Sequence, residues 1–212
     1  MNQALQYCAI CLAALVCAGC FVPRSPAPVI YHYIFEYDPP RIEAPQPLDG
    51  AIIVQPFATA TAFATRRIMY RDAAFKRDAY VYHQWRALPG DMVADMLRRD
   101  LREAGLFRAV FAAGSNAPGR FMLEGMVDEV FAGETADRWE AVLSMTVTLL
   151  DETTSDTSKK ILLHQTYTAR APCGRKNPQS VAAAMSSALA ELSGRICADV
   201  RAAADRASSA GQ

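Results

Sequence analysis

The sequence has no excess of charge of either sign, since lysine plus arginine and aspartate plus glutamate each total 22. No net field therefore favours nucleic acid or an anionic lipid surface. It also lacks an apolar run of the ~18 or more residues that a membrane-spanning helix needs, which excludes such a helix. A G-x-S-x-G elbow, an H-E-x-x-H helix and a phosphate-cradling glycine loop are all missing, so any nucleophile would have to be assembled from scattered residues. Histidine is scarce: His32, His83 and His164 fall on three separate predicted strands, with no Cys, Asp or Glu at metal-ligand spacing. They read as ordinary strand side chains, and neither a metal nor a cofactor is expected.

What is present begins at the N-terminus. Tyr7 to Gly19 is uncharged and almost wholly apolar, the length of a signal-peptide core rather than of a membrane span. Small Ala18 and Gly19 then precede Cys20, and a cysteine directly after small residues resembles the lipobox of bacterial lipoproteins, whose thiol accepts lipid. Cys17 stands where such boxes usually carry Leu, and no Lys or Arg precedes the apolar run. The competing reading is a buried N-terminal helix. Pro23, Pro26 and Pro28 follow at once, however, and suit an extended tether. The expected organisation is a signal peptide over 1–19, a lipidated Cys20 with a proline-rich tether over 20–28, one domain over 29–204 and a flexible tail over 205–212. Phe21 stands where an inner-membrane retention signal would place Asp, so the expected location is the outer membrane, lipid-anchored and facing the periplasm.

Cys8, Cys11 and Cys17 leave with the signal peptide and Cys20 takes the lipid, so Cys173 and Cys197 remain. An oxidising compartment invites a disulfide between them. A helix running unbroken from Pro178 through Gly194 to Cys197 would be about 28 Å long. The five steps from Cys173 to Pro178 reach at most about 17 Å, and a disulfide closes only about 7 Å more. Two unpaired thiols are expected.

Segments rich in β-branched and aromatic residues read as strands: Val29 to Tyr37, Ala51 to Phe57, Arg67 to Arg71 and Ala79 to His83. Pro39, Pro40, Pro45 and Pro47 mark a surface connection between the first two. Pro89 and Asp91 open a helix in which Met92, Val93, Met96, Leu97, Leu101 and Ala104 form one stripe, and Gly105 supplies its left-handed cap. Phe107 to Phe111 is a short strand. Arg120 to Phe131, Arg138 to Asp151 and Lys160 to Ala169 read as an antiparallel meander. Asn177 and Pro178 then start a long helix with Val181, Met185, Ala188, Leu189, Leu192, Ile196 and Val200 on one face, and Ala207 to Gln212 should fray. The fold expected is α/β, with α+β the alternative: one domain whose mixed sheet is packed by helices over about 89–104 and 178–204.

Other candidates have bland readings. Asp128 and Glu129 are adjacent on a strand, so they point to opposite faces and should be solvated rather than paired for acid–base work. Arg98, Arg99 and Arg102 could meet lipid headgroups, but a charge run on an outer helix face is usually solvated. Tyr70, Phe75, Tyr80, Tyr82 and Trp85 form the densest aromatic segment, with core packing the default and a partner surface or a lipid-handling face the alternatives.

The order Val54-Gln55-Pro56-Phe57, Met69-Tyr70-Arg71 and Tyr82-His83-Gln84-Trp85 with Pro89 after it resembles the ABC-type transport auxiliary lipoproteins, which include the PqiC proteins. Leu101 to Phe107 and Phe121 to Gly125 continue the likeness, which spans about Val29 to Val200. Leu88 departs from it, standing where a second proline is often found. The resemblance implies a non-enzymatic periplasmic accessory that works with the MCE-domain and permease components of an ABC-type system and moves phospholipids or other hydrophobic molecules between the membranes. It admits a homo-oligomer and gives no role to nucleic acid. Its signature residues are Tyr70, Arg71, Tyr82, Trp85 and Pro89, without an assigned role, and it carries no catalytic residue. The alternative is an outer-membrane assembly lipoprotein, a scaffold of the lipopolysaccharide-insertion kind. A lipid-modifying hydrolase would need a Ser or Cys beside a His in a cleft.

Overall fold

The computed structural model describes residues 27–42, 46–135, 138–156 and 160–210. The expected signal peptide, Cys20 and nearly all of the tether lie outside these residues. The chain forms β1 (Tyr31–Tyr33), β2 (Leu48–Val54), β3 (Ala58–Thr59), a 3-10 turn (Thr61–Phe63), β4 (Arg67–Ala73), β5 (Lys76–Trp85), α1 (Pro89–Glu103), β6 (Phe107–Ala112), β7 (Phe121–Thr135), β8 (Arg138–Asp151), β9 (Ile161–Pro172) and α2 (Pro178–Ala210). The result is a mixed α+β domain.

Strand β7 is the spine of the sheet. Its fifteen residues would span about 46 Å fully extended, long enough for one edge to take three parallel partners in turn. These are β2 at Phe121 to Leu123, β3 at Met126 and Val127, and β4 at Ala132 and Gly133. The other edge pairs antiparallel with β8, and β8 with β9, as the meander predicts. Beyond β2 lies β6, and beyond β4 lie β5 and then β1, both β6 and β1 running parallel to their neighbours.

Alternation along β8 buries Leu143, Met145, Val147 and Leu149 completely. Helix α2 packs on β8 and β9, and α1 on β6, β7 and α2. The seven apolar positions expected on the long helix are all buried. Burying such side chains, at about 1.5–3 kcal/mol each, stabilises both helices more than their own propensities can.

Both helix starts are capped. Asn177 accepts the Ser180 N–H at 2.9 Å, as expected. Leu88, preceding α1, has no capping side chain, and Thr59 Oγ1 on β3 accepts the Gly90 N–H at 2.9 Å instead. Gly105, at φ +60, ends α1 in the left-handed region as its position predicts.

Three expectations need correction. Only Tyr31–Tyr33 of the first predicted strand pairs, because the following residues turn inward: Phe35 packs on Trp85 at 5.1 Å, and the Tyr37 hydroxyl donates to Asp100 at 2.7 Å. The long helix continues beyond 204 to Ala210, so the expected tail is helical there. Arg120 holds it, donating to Ser208 Oγ at 3.1 Å and the Ala207 carbonyl at 3.3 Å. The arginines of α1 are not a single solvated run. Arg98 pairs with Asp95, whereas Arg99 pairs with buried Asp100 at 2.7 Å and lies over the Tyr37 ring at 4.5 Å.

Candidate functional site

The hairpin of β4 and β5 turns through Ala74 and Phe75, with Ala73 opposite Lys76. Its register is irregular. Arg67 faces Gln84 while Met69 faces Ala79, so β5 carries extra residues between Ala79 and Gln84. That irregularity brings Tyr80 and His83, which strict alternation would separate, to an edge-on ring contact of 6.0 Å.

From there a run of ring contacts crosses four strands. His83 stacks on Tyr31 at 5.1 Å, and its Nδ1 lies 3.0 Å from the Tyr33 hydroxyl. Tyr80 meets Tyr70 at 4.7 Å, and Tyr70 meets Trp139 at 6.4 Å. Lys176 Nζ closes the run 5.0 Å from the Trp139 ring. Burial, then the neighbouring Tyr31, raises the Tyr33 hydroxyl above its ordinary value. Tyr80 is raised by burial and then by Tyr70 and Cys173. Tyr70 is raised by desolvation and then by Asp78 and Asp72. The phenols therefore stay neutral at physiological pH, and these rings offer apolar faces with hydroxyl tips.

Two grooves flank the run and the outer sheet face. One of about 570 Å³ lies between the β1 segment and α2, lined by His32, Tyr33, Glu36, Gln179 and Ser186 among others. The second, about 780 Å³, lies on β7, β8 and β9, where Met122, Met126, Thr148 and His164 contribute. Here His164 Nδ1 sits 3.0 Å from Thr148 Oγ1. Asp128 sits at a register shift in β7 and accepts a hydrogen bond from Thr146 at 2.8 Å, so it is engaged within the sheet rather than solvated.

The signature residues do not form one surface. Trp85 and Pro89 are buried in the core, Tyr70 lies within the ring run, and Tyr82 is exposed. Arg71 donates to the Glu134 carbonyl at 3.3 Å and lies 5.3 Å from the Phe131 ring. The dense aromatic segment is thus partly core and partly display: Phe75 is 104% exposed, and Val81 and Tyr82 are exposed beside β1. Sequence reasoning missed Tyr31, Tyr33, His83 and Trp139 as members of the run. His32, His83 and His164 lie on β1, β5 and β9, and no group of three or more His, Cys, Asp or Glu that could hold a metal occurs among the described residues. Cys173 and Cys197 are free thiols, half-buried and buried respectively. No helix among the described residues is long and apolar enough to cross a membrane.

The fold is thus a mixed sheet on a long spine strand with three parallel partners, two helices packed on it and a run of aromatic rings across its strands. The sequence profile of the ABC-type transport auxiliary lipoprotein component matches residues 34–197, and the chain belongs to that family. Among solved structures, it is similar to a protein from Xanthomonas campestris at 18% identity and a TM-score of 0.72, covering 85% of this chain and 99% of that one. It is also similar to an uncharacterized protein at 11% identity and a TM-score of 0.62, covering 82% and 99%. Both likenesses concern the fold alone. No curated protein matches the chain in sequence.

Proposed function

We propose that the chain is a non-enzymatic accessory, anchored through acyl chains on Cys20 to the outer membrane and facing the periplasm. There it serves an ABC-type system with permease and MCE-domain components that moves phospholipids or other hydrophobic molecules between the two membranes. The observation that carries this reading is the aromatic run from Tyr31 to Trp139, lying beside an open groove in a chain of the transport auxiliary family. Tyrosine rings with hydroxyl tips suit an amphipathic cargo or an apolar partner surface better than a charged substrate. Phe21, directly after Cys20, supports the outer membrane over the inner.

The test is cross-linking of the tagged full chain in intact envelopes, followed by identification of what is captured. An MCE-domain protein together with its permease is the expected result. Capture of an outer-membrane assembly barrel in their place would refute it in favour of a lipopolysaccharide-insertion scaffold. Tyr80→Ala and His83→Ala should weaken the expected capture if the ring run is the contact.

A further inference from the structure

We infer that the end of the sheet carrying the β4–β5 turn rests on the same bilayer that holds the Cys20 acyl chains, with the Phe75 ring inserted in its interfacial layer. This rests on the lipidation proposed above and adds to it a defined orientation of the domain.

The first observation is Phe75 itself. It occupies the tip of a two-residue turn at φ +61, a region that bulky residues rarely adopt, and its side chain is 104% exposed. A polar residue or glycine would suit that position better in water, and an apolar ring gains nothing there unless something covers it.

The second is the direction of the chain. Strand β1 runs parallel to β5 with Tyr31 opposite His83, so the polypeptide enters β1 from the side of the β4–β5 turn. Exposed Val29, Ile30 and Tyr31 on the entering segment and exposed Val81 and Tyr82 on β5 extend the apolar surface on that side.

The third is reach. The seven steps from His83 back to Lys76 cover about 23 Å along β5, while the eleven steps from Cys20 to Tyr31 cover at most about 40 Å. Fully extended alongside β5, the tether would reach the level of the turn with at most about 17 Å in hand. The far end of the sheet lies about 46 Å away along β7, because β4 pairs with the last residues of β7 and the Asn116 turn precedes its first. The tether leaves β1 on the Phe75 side, so it reaches that end of the sheet without doubling back along the domain. The tip brings little net charge with it, since Lys76 pairs with Asp72 at 2.8 Å and Asp78 at 4.0 Å. An aromatic ring at headgroup level beside paired charges matches the interfacial layer.

The test places an indole at the tip. Full-length protein carrying Phe75→Trp, a second carrying Asn116→Trp and the parent protein are each reconstituted with vesicles of phosphatidylcholine brominated on its acyl chains. Emission is read as the difference from the parent, whose own Trp85 and Trp139 are common to all three. Bromolipid should quench the added emission from position 75 and leave that from position 116 unchanged. Vesicle-bound protein with no quenching at position 75, the result expected if a protein partner covers the tip, overturns this inference and leaves the anchor standing. Protein that fails to associate with vesicles overturns both.

Discussion

The Tyr37 hydroxyl donates to Asp100 Oδ2 at 2.7 Å, joining the segment that follows β1 to a fully buried carboxylate on α1. Ser193 of α2 donates to the same oxygen, and Arg99 Nε donates to Oδ1 at 2.8 Å. Three parts of the chain far apart in sequence thus meet on one side chain. Replacing Asp100 with Asn removes the counter-charge of Arg99 and should cost about 3 kcal/mol, whereas Tyr37→Phe should cost about 1–2 kcal/mol. Urea unfolding measures both, and unchanged midpoints would contradict the clasp.

The same contact has a pH signature. Burial first, then the bond to Asp100, raises the Tyr37 hydroxyl well above its ordinary 10.0, and burial and Asp199 raise Tyr167 likewise. A group whose folded value is raised contributes stability that is complete below the unfolded value and is lost as pH rises through and beyond it. Stability should therefore fall above about pH 10. Tyr37→Phe should flatten that decline in unfolding curves recorded across it.

Gly90 is required by close approach. A Cβ there would collide with the Phe57 carbonyl and lie 2.8 Å from both the Ala58 carbonyl and Thr59 Oγ1. Gly90→Ala should push α1 off β3, breaking the bond from the Gly90 N–H to Thr59, and cost about 1–3 kcal/mol. The corresponding fall in Tm is the measurement, and a Tm at or above the parent's would contradict the packing.

Burial pushes the Cys173 thiol up to about 11 and the Cys197 thiol up to about 12. Both should be protonated at neutral pH and poor nucleophiles. Alkylation without reductant should label half-buried Cys173 slowly in the folded protein and add Cys197 only on unfolding. Failure of both to label in denaturant would reveal a disulfide.

Arg120 ties two parts of the fold, donating to Asp151 Oδ2 at 3.0 Å and to the last turns of α2. Burial opposes the charge of Asp151, but hydrogen bonds from Thr153 and Arg120 outweigh it and hold the carboxyl below 3.8. A lowered group gives stability that is present above the unfolded value and lost as pH falls through the folded one. Asp151→Asn should therefore reduce the loss of stability in acid. Arg120→Ala should speed amide exchange over 205–210.

Much of this fold was legible because local signals agreed with tertiary demands. Asn177 and Pro178 start α2, Gly105 ends α1, and the apolar spacing of both helices matches what is buried. The three-strand meander followed from long alternating runs. What the sequence hid depends on contacts between distant segments. Periodicity cannot reveal that residues 34–37 leave the sheet to reach Trp85 and Asp100. It also cannot reveal that Arg120 extends α2, or that an irregular pairing of β4 and β5 brings Tyr80 to His83. The aromatic density of 70–85 marked the region of the candidate site, but its partners Tyr31, Tyr33 and Trp139 come from other strands.

The proposal that the domain works from a membrane anchor is tested most directly by mass spectrometry of the N-terminal peptide of the mature protein. The expected chain begins at Cys20, with acyl groups on that residue. A chain that retains residues 1–19, or one that carries Cys20 with an unmodified thiol, would contradict it.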